Sequence, residues 1–218
     1  MNQGETALPI QAVIFDYGGV LRHDARDDFD AIDEAFGLPP GALWAAFHDI
    51  PAYRLSRTGS IDGTAFRAAV RATLVRAVGG EQPIDAALAA LDNHLAGLPA
   101  VAADMRALLD RLRTGGRVRL GLLSNGGRGG TERLRAAGVL DLFDNGFVSG
   151  DVGLAKPDPA VFRFAAARLG VEPARCLMID DQRLNLEGAH MAGLRTHLFE
   201  RRRLADLLGR LEAEGVLG

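Results

Sequence analysis

An α/β fold is what this 218-residue sequence predicts: a Rossmann-like, doubly wound parallel sheet, with a small all-helical cap inserted after its first strand. Three observations carry the prediction. From about residue 100 onward, short apolar runs alternate with stretches of helical period, the mark of successive strand–helix units sharing one parallel sheet. An isolated apolar run, Val13-Ile14-Phe15, precedes them and ends at Asp16 with turn residues Gly18-Gly19. Between the two lies a block from 24 to 97 with helical patterns and no strand candidate. The expected division is a core of residues 1–22 and 98–218 and a helical cap of residues 23–97.

Within the cap, Ala31, Ile32, Ala35 and Phe36 fit one helix face, ended by Gly37 and Pro39-Pro40. Leu43, Trp44 and Phe47 form a second helix ending near Pro51. Phe66, Ala69, Val70, Thr73 and Leu74 form a third, entered through Ser60-Ile61-Asp62. Ile84, Leu88, Leu91 and Leu95 form a fourth. In the core, Met105 to Leu112 is a helix stopped by Gly115-Gly116, and Val118 to Leu123 is a strand running into Ser124-Asn125-Gly126. Glu132 to Ala137 is helical and Phe147-Val148 is a strand. Pro159 to Leu169 is a helix with a Gly170 stop, and Cys176 to Ile179 is a strand ending at Asp180. Leu186 to Ala192 and Thr196 to Phe199 complete the alternation.

Composition narrows the function. The chain is 48% hydrophobic and 24% charged with a net charge of −3, so nothing marks it for nucleic acid or an acidic membrane surface. The single cysteine, Cys176, borders the apolar run Leu177-Met178-Ile179 and reads as a buried reduced thiol. That usage, with no basic leader and no run of membrane-spanning length, predicts a cytoplasmic protein. Of 25 Lys plus Arg, only Lys156 is lysine. In so Arg-rich a chain, a surviving lysine is either chance or a site that needs a compact ammonium. The count alone leaves both readings open.

Polar groups fall at the predicted C-terminal ends of three strands: Asp16, Ser124-Asn125 and Asp180-Asp181. Open α/β sheets bind ligands at that edge. Lys156 sits in a Gly-Leu-Ala-Lys-Pro-Asp-Pro loop at the same rim. One acid beside one lysine is commonly an ordinary ion pair, but here carboxylates, a hydroxyl and the sole ammonium are expected to converge.

These segments resemble the four motifs of the haloacid dehalogenase-like hydrolase superfamily. Val13-Ile14-Phe15-Asp16-Tyr17-Gly18-Gly19-Val20-Leu21 is similar to its first motif, Leu122-Leu123-Ser124-Asn125 to its second, Lys156-Pro157 to its third, and Met178-Ile179-Asp180-Asp181 to its fourth. The run from Asp180 through Asn185 to Gly188-Ala189, and Arg57-Thr58-Gly59-Ser60-Ile61 in the cap, resemble a subgroup of bacterial sugar-1-phosphate phosphatases and soluble epoxide hydrolase N-terminal domains. The resemblance implies a Mg²⁺-dependent phosphatase of small phosphorylated molecules. Asp16 would be the nucleophile, with Ser124 and Lys156 holding the phosphoryl group. Asp16, the Gly18 carbonyl, Asp180 and Asp181 would hold Mg²⁺. Asn125 and Gly126 open a glycine-rich segment whose backbone N–H groups would meet the substrate. Monomer and homodimer both stay open.

One position departs from the family pattern. Most phosphatases of the superfamily carry a second Asp two residues after the nucleophile, where this chain has Gly18. Losing general acid–base help typically costs about 10²- to 10⁴-fold. Either substrates have good leaving groups, or another residue supplies the proton, His23 and Asp24 being nearest in sequence, or catalysis has been lost and an interaction role kept. A metal-free haloacid dehalogenase is the second enzymatic reading, disfavoured by the paired acids Asp180-Asp181. Trp44, Phe47, Tyr53 and Phe66 are read mainly as cap packing, His48, His94, His190 and His197 as structural, and Arg201-Arg202-Arg203 as solvated surface. Arg54 and Arg57 could meet an anion, though exposed Arg is this chain's ordinary state.

Overall fold

The computed structural model describes residues 8–23, 26–97 and 100–218. Among them, strands β1 (Ala12–Phe15), β2 (Arg119–Ser124), β3 (Asn145–Val148), β4 (Cys176–Asp180) and β5 (Arg195–Leu198) form one sheet in the order β3-β2-β1-β4-β5. Every pairing is parallel. The strands match the expected ones to within two residues at their ends.

The sheet is buried on both faces, which is why β1 and β4 read as unbroken apolar runs instead of alternating ones. Val13, Phe15, Leu177 and Ile179 point to one side, where they meet Met105, Leu109 and Leu112 of α6 (Ala103–Gly115) and Leu207 and Leu211 of α11 (Leu204–Ala213). Ala12, Ile14, Cys176 and Met178 point to the other, against α9 (Pro159–Leu169) and α10 (Arg183–Met191). Each such fully buried Leu, Ile or Phe contributes about 1.5–3 kcal/mol. Burial pushes the Cys176 thiol up to about 12, so it stays protonated and unreactive. Helix α9 is well marked in sequence: Asp158 caps it by accepting from Ala160 N–H at 2.8 Å, Pro159 opens it, and Gly170 ends it in the left-handed region.

Among the described residues, five helices come between β1 and α6: α1 (Arg26–Ala35), α2 (Ala42–His48), α3 (Pro51–Arg57), α4 (Gly63–Val78) and α5 (Ile84–Gly97). They enclose a separate apolar cluster including Leu43, Phe66, Val70, Leu74, Ile84 and Leu91. Two details differ from expectation. Helix α1 buries Phe29 and Asp33, leaving Ala31 and Ala35 exposed. Asp33 turns inward because α2 starts at Gly41, which has no capping side chain; its Oδ1 accepts from Leu43 N–H at 3.1 Å instead. Helix α3 begins at Pro51, read in sequence as a stop, because proline at a first helical position opens a helix. Two short helices, α7 (Gly130–Ala136) and α8 (Ser149–Val152), flank β3. Arg201–Arg203 forms an exposed turn, as expected. No helix among the described residues is long and apolar enough to cross a membrane.

Candidate active site

The strand order reverses between β1 and β4, and the crevice beyond the carboxyl ends of the strands at that point is where doubly wound sheets bind ligands. Asp16 follows β1 and its N–H donates to Ile179 O at 2.9 Å; Asp180 ends β4. Parallel pairing in register therefore brings the two carboxylates together.

Lys156 lies between them. Its Nζ is 2.7 Å from Asp16 Oδ1 and 2.6 Å from Asp180 Oδ2, and all three residues are 5% exposed or less. The chain's only lysine is thus a buried ammonium bridging two buried acids. A planar guanidinium is larger than that gap allows. Lys156 itself is fixed by Asn125, whose side-chain Nδ2 donates to Lys156 O and whose Oδ1 accepts Lys156 N–H, both at 2.9 Å. Asp180 is held by Asn185 Nδ2 at 3.0 and 3.2 Å and by the Gln182 N–H at 2.8 Å. Asn185 was noted in the sequence only as part of a motif, with no role given.

Ligand oxygens of Asp16, Asp180 and Asp181 lie within 4.8 Å of one another. Three carboxylates face one ammonium. Burial, then Asp180 and Asp181, push the Asp16 carboxyl up to about 8, even though Lys156 pulls it down. Burial alone would lower the Lys156 ammonium, but Asp16 and Asp180 outweigh it and hold it charged. Among the described residues two buried carboxylates share that one ammonium, and the donors of the cluster are hard oxygens. Both facts fit a divalent cation such as Mg²⁺.

The loop after Asp16 is tight: Leu21 and Arg22 N–H both donate to Tyr17 O, and Gly19 N–H donates to Arg22 O at 2.8 Å. Gly19 is the left-handed residue there, with φ 76°, and a Cβ on it would collide with the Asp181 carboxylate. Since Tyr17 O and Gly19 N–H are spent on Arg22, the carbonyl of Gly18 stays out of that bridge.

Asp16, Tyr17, Gly18, Gly19, Lys156 and Asp181 line a cleft of about 180 Å³ with Ser124, Asn125, Gln182 and Asn185. Ser124, ending β2, is 8% exposed. The helical insertion supplies the opposite wall: Phe29, Trp44, His48, Tyr53 and Arg57. A larger hollow of about 580 Å³, lined by Gln11, Arg113, Arg117 and Arg119, borders the start of β2 and holds none of the strand-end acids. The chemistry lies in the smaller cleft.

Several expectations change. Gly126 is not part of the cleft lining, and its N–H donates to Ser149 Oγ at 3.0 Å, so it braces the loop instead of presenting a donor to substrate. Asn125 lines the cleft, but its amide is committed to Lys156, which makes it a positioning residue. His23 Nε2 lies 3.6 Å from Asp104 and outside the cleft; Asp24 lies outside the described residues. His48 was read as structural, yet it faces the cleft, stacked on Trp44 at 3.9 Å between centroids with Nδ1 3.0 Å from Trp44 O. Burial, helped by Arg57 and against the Trp44 contact, holds its ring below the usual histidine range. Phe47 and Phe66 pack inside the insertion as expected, whereas Trp44, Tyr53 and Arg57 reach the cleft. These wall residues carry no strand-end signal and were not findable from spacing alone.

Residues 10–193 match the family described as haloacid dehalogenase-like hydrolase. The chain belongs to that family. A phosphatase of Mycobacterium tuberculosis is 37% identical over 100 residues, 45% of this chain and 46% of its own length, so the match spans about half of that relative. A family enzyme of Bacteroides thetaiotaomicron, solved with magnesium and inorganic phosphate, superposes at TM-score 0.63 and 23% identity over 88% of this chain and 94% of its own. A dehalogenase solved with an intermediate superposes at TM-score 0.68 and 22% identity, covering 89% and 86%. At such identities the two structures show a shared fold.

Asn125→Ala should leave the fold intact and lower kcat/KM by about tenfold, the worth of two lost hydrogen bonds of about 0.5–1.5 kcal/mol each. Unchanged kinetics on an aryl phosphate would show that Lys156 needs no brace.

Proposed function

We propose that this hydrolase is a Mg²⁺-dependent phosphatase of small phosphorylated metabolites, working through an aspartyl-phosphate on Asp16. The observation that carries the reading is the buried Lys156 between Asp16 and Asp180, with Asp181 completing a three-carboxylate cluster. The phosphatase relative and the magnesium- and phosphate-bound family structure support it. Asp16, the Gly18 carbonyl, Asp180 and Asp181 would hold Mg²⁺, and residues 23–97 would form the cap. Bound there, the ion would supply positive charge to the phosphoryl oxygens.

The chain's own residues do the rest. Lys156 pulls Asp16 toward its ionised form and aims it, and with the Ser124 hydroxyl receives phosphoryl oxygens. An Asp16 oxygen attacks phosphorus, the bond to the ester oxygen breaks, and that oxygen leaves with its electron pair and takes a proton from solvent. Water then attacks the phosphorus, its proton passes to solvent, and the bond to Asp16 breaks to release phosphate. This is nucleophilic catalysis split into two easier steps. With Gly18 in place of an acid, the leaving oxygen is not protonated from that position, which favours phosphates of acidic alcohols: anomeric, acyl and aryl.

Phosphate release from phenyl phosphate should require Mg²⁺, stop with chelator, and run at least about 100-fold faster than from a primary alkyl phosphate. Full dehalogenation of a haloacid in chelator would overturn the reading. That alternative shares the fold, but three carboxylates crowded on one ammonium have no use without a cation.

A further inference from the structure

Arg57 is the cation of the cleft's helical wall. Its guanidinium lies over the Tyr53 ring at 4.4 Å and the Phe66 ring at 5.2 Å. Its one hydrogen bond among the described residues is Nη1 to Ser56 Oγ at 3.2 Å, on the adjoining residue. Its Nε is buried with no hydrogen-bond partner, and no described carboxylate pairs with it. Two other arginines of the insertion are spent: Arg67 pairs with Asp92, and Arg71 with Asp85 at 2.8 Å. A half-buried guanidinium lying over two rings, facing a cleft and lacking a counter-ion among the described residues, is preorganised for an anion.

The phosphoryl end of the cleft already has Lys156 and Ser124 on the strand side. Arg57 stands on the other wall, beside Trp44, His48 and Tyr53. We infer that this wall is a second anion subsite, in which Arg57 takes a carboxylate or second phosphate carried by the part of the substrate that leaves, beside the Tyr53 and Trp44 side chains that line the cleft. This rests on the phosphatase reading and narrows it to phosphomonoesters of small anionic alcohols, the size that a cleft of about 180 Å³ admits.

The test compares carboxyphenyl phosphate and hydroquinone bisphosphate with phenyl phosphate in wild type, Arg57→Gln and Arg57→Lys. Wild type should prefer at least one anionic substrate by about tenfold or more in kcat/KM, as expected for a charge-assisted bidentate contact. Arg57→Gln should bring that preference close to one, and Arg57→Lys, which keeps the charge and loses the planar fork, should fall between. Which substrate gains tells carboxylate from phosphate. In parallel, Kd values for carboxyphenyl phosphonate and phenylphosphonate are measured by calorimetry with Mg²⁺. The carboxylated ligand should bind wild type about tenfold tighter, and Arg57→Gln should erase the difference. Equal affinities in wild type, or equal weakening of both ligands by Arg57→Gln, would overturn the subsite. Failure to hydrolyse any phosphate would instead count against the phosphatase reading, and the binding comparison would still decide the subsite.

Discussion

Asp16→Asn is expected to lose turnover by on the order of 10⁴-fold or more while becoming no less stable without metal. The amide is no nucleophile, so a covalent step cannot begin. It is also a poorer ligand for a hard cation, so the variant must be assayed at saturating Mg²⁺; activity that returns as Mg²⁺ rises would make Asp16 a ligand only. The stability side follows from charge. Burial and the neighbouring acids raise the Asp16 carboxyl from 3.8 to about 8. A raised acid keeps its proton in the folded chain while the unfolded chain releases it, so the folded state binds more protons across that window. Stability of the metal-free wild type should therefore fall as pH rises from about 4 to 8, and excess Mg²⁺ should restore most at the upper end. Asp16→Asn removes that slope, and Lys156 keeps Asp180 at 2.6 Å as its partner. Melting curves across this pH range check it. A variant that melts well below wild type at pH 8 would show that the Asp16 carboxylate is structurally favourable, contrary to the burial argument.

The α/β core was legible because its signals are local. Strands buried on both faces write themselves as apolar runs, as in Leu177-Met178-Ile179, and capped helices carry their own punctuation, as in Asp158-Pro159 to Gly170. The insertion was less legible because its order is non-local. Asp33 is buried on account of α2, whose Gly41 start leaves N–H groups that only a neighbouring helix can cap. No periodicity within α1 reports that need. Pro51 was ambiguous for a different reason: the same restricted φ suits the end of one helix and the first residue of the next.

The site divides along the same line. Asp16, Ser124, Lys156 and Asp180 could be read because each sits at or near a strand end, and parallel pairing gathers strand ends. Gly126 was misread because a glycine-rich stretch serves close backbone packing as well as anion binding; here its N–H goes to Ser149. His48 reads in the sequence as structural, and Arg57 is not set apart from Arg54 as a residue that could meet an anion, because what distinguishes them is where α2 and α3 lie over the sheet edge.

Lys156→Met is the strongest test of how the charges balance. Methionine keeps the stem's bulk and removes the ammonium, leaving Asp16 and Asp180 buried without a cation. Breaking a buried ion pair from one side costs about 3–5 kcal/mol. The loss should grow as pH rises, because the pull that Lys156 exerts on Asp16 is gone and its carboxyl moves further up from about 8. At low pH Asp16 takes up its proton, and the variant should approach wild type. Excess Mg²⁺ should recover part of the stability at neutral pH, since a divalent cation serves the same carboxylates. It should not recover turnover, because no ammonium then holds the transferring oxygens. Lys156→Arg separates charge from shape: it keeps the charge but has a wider fork in a gap spanned by contacts of 2.6 and 2.7 Å, and should lose turnover by at least about 100-fold. Chemical denaturation at two pH values with and without Mg²⁺, beside kcat/KM on an aryl phosphate, reads both effects. A Lys156→Met protein as stable as wild type near pH 8 without metal would mean that Lys156 does not set the charge of the site.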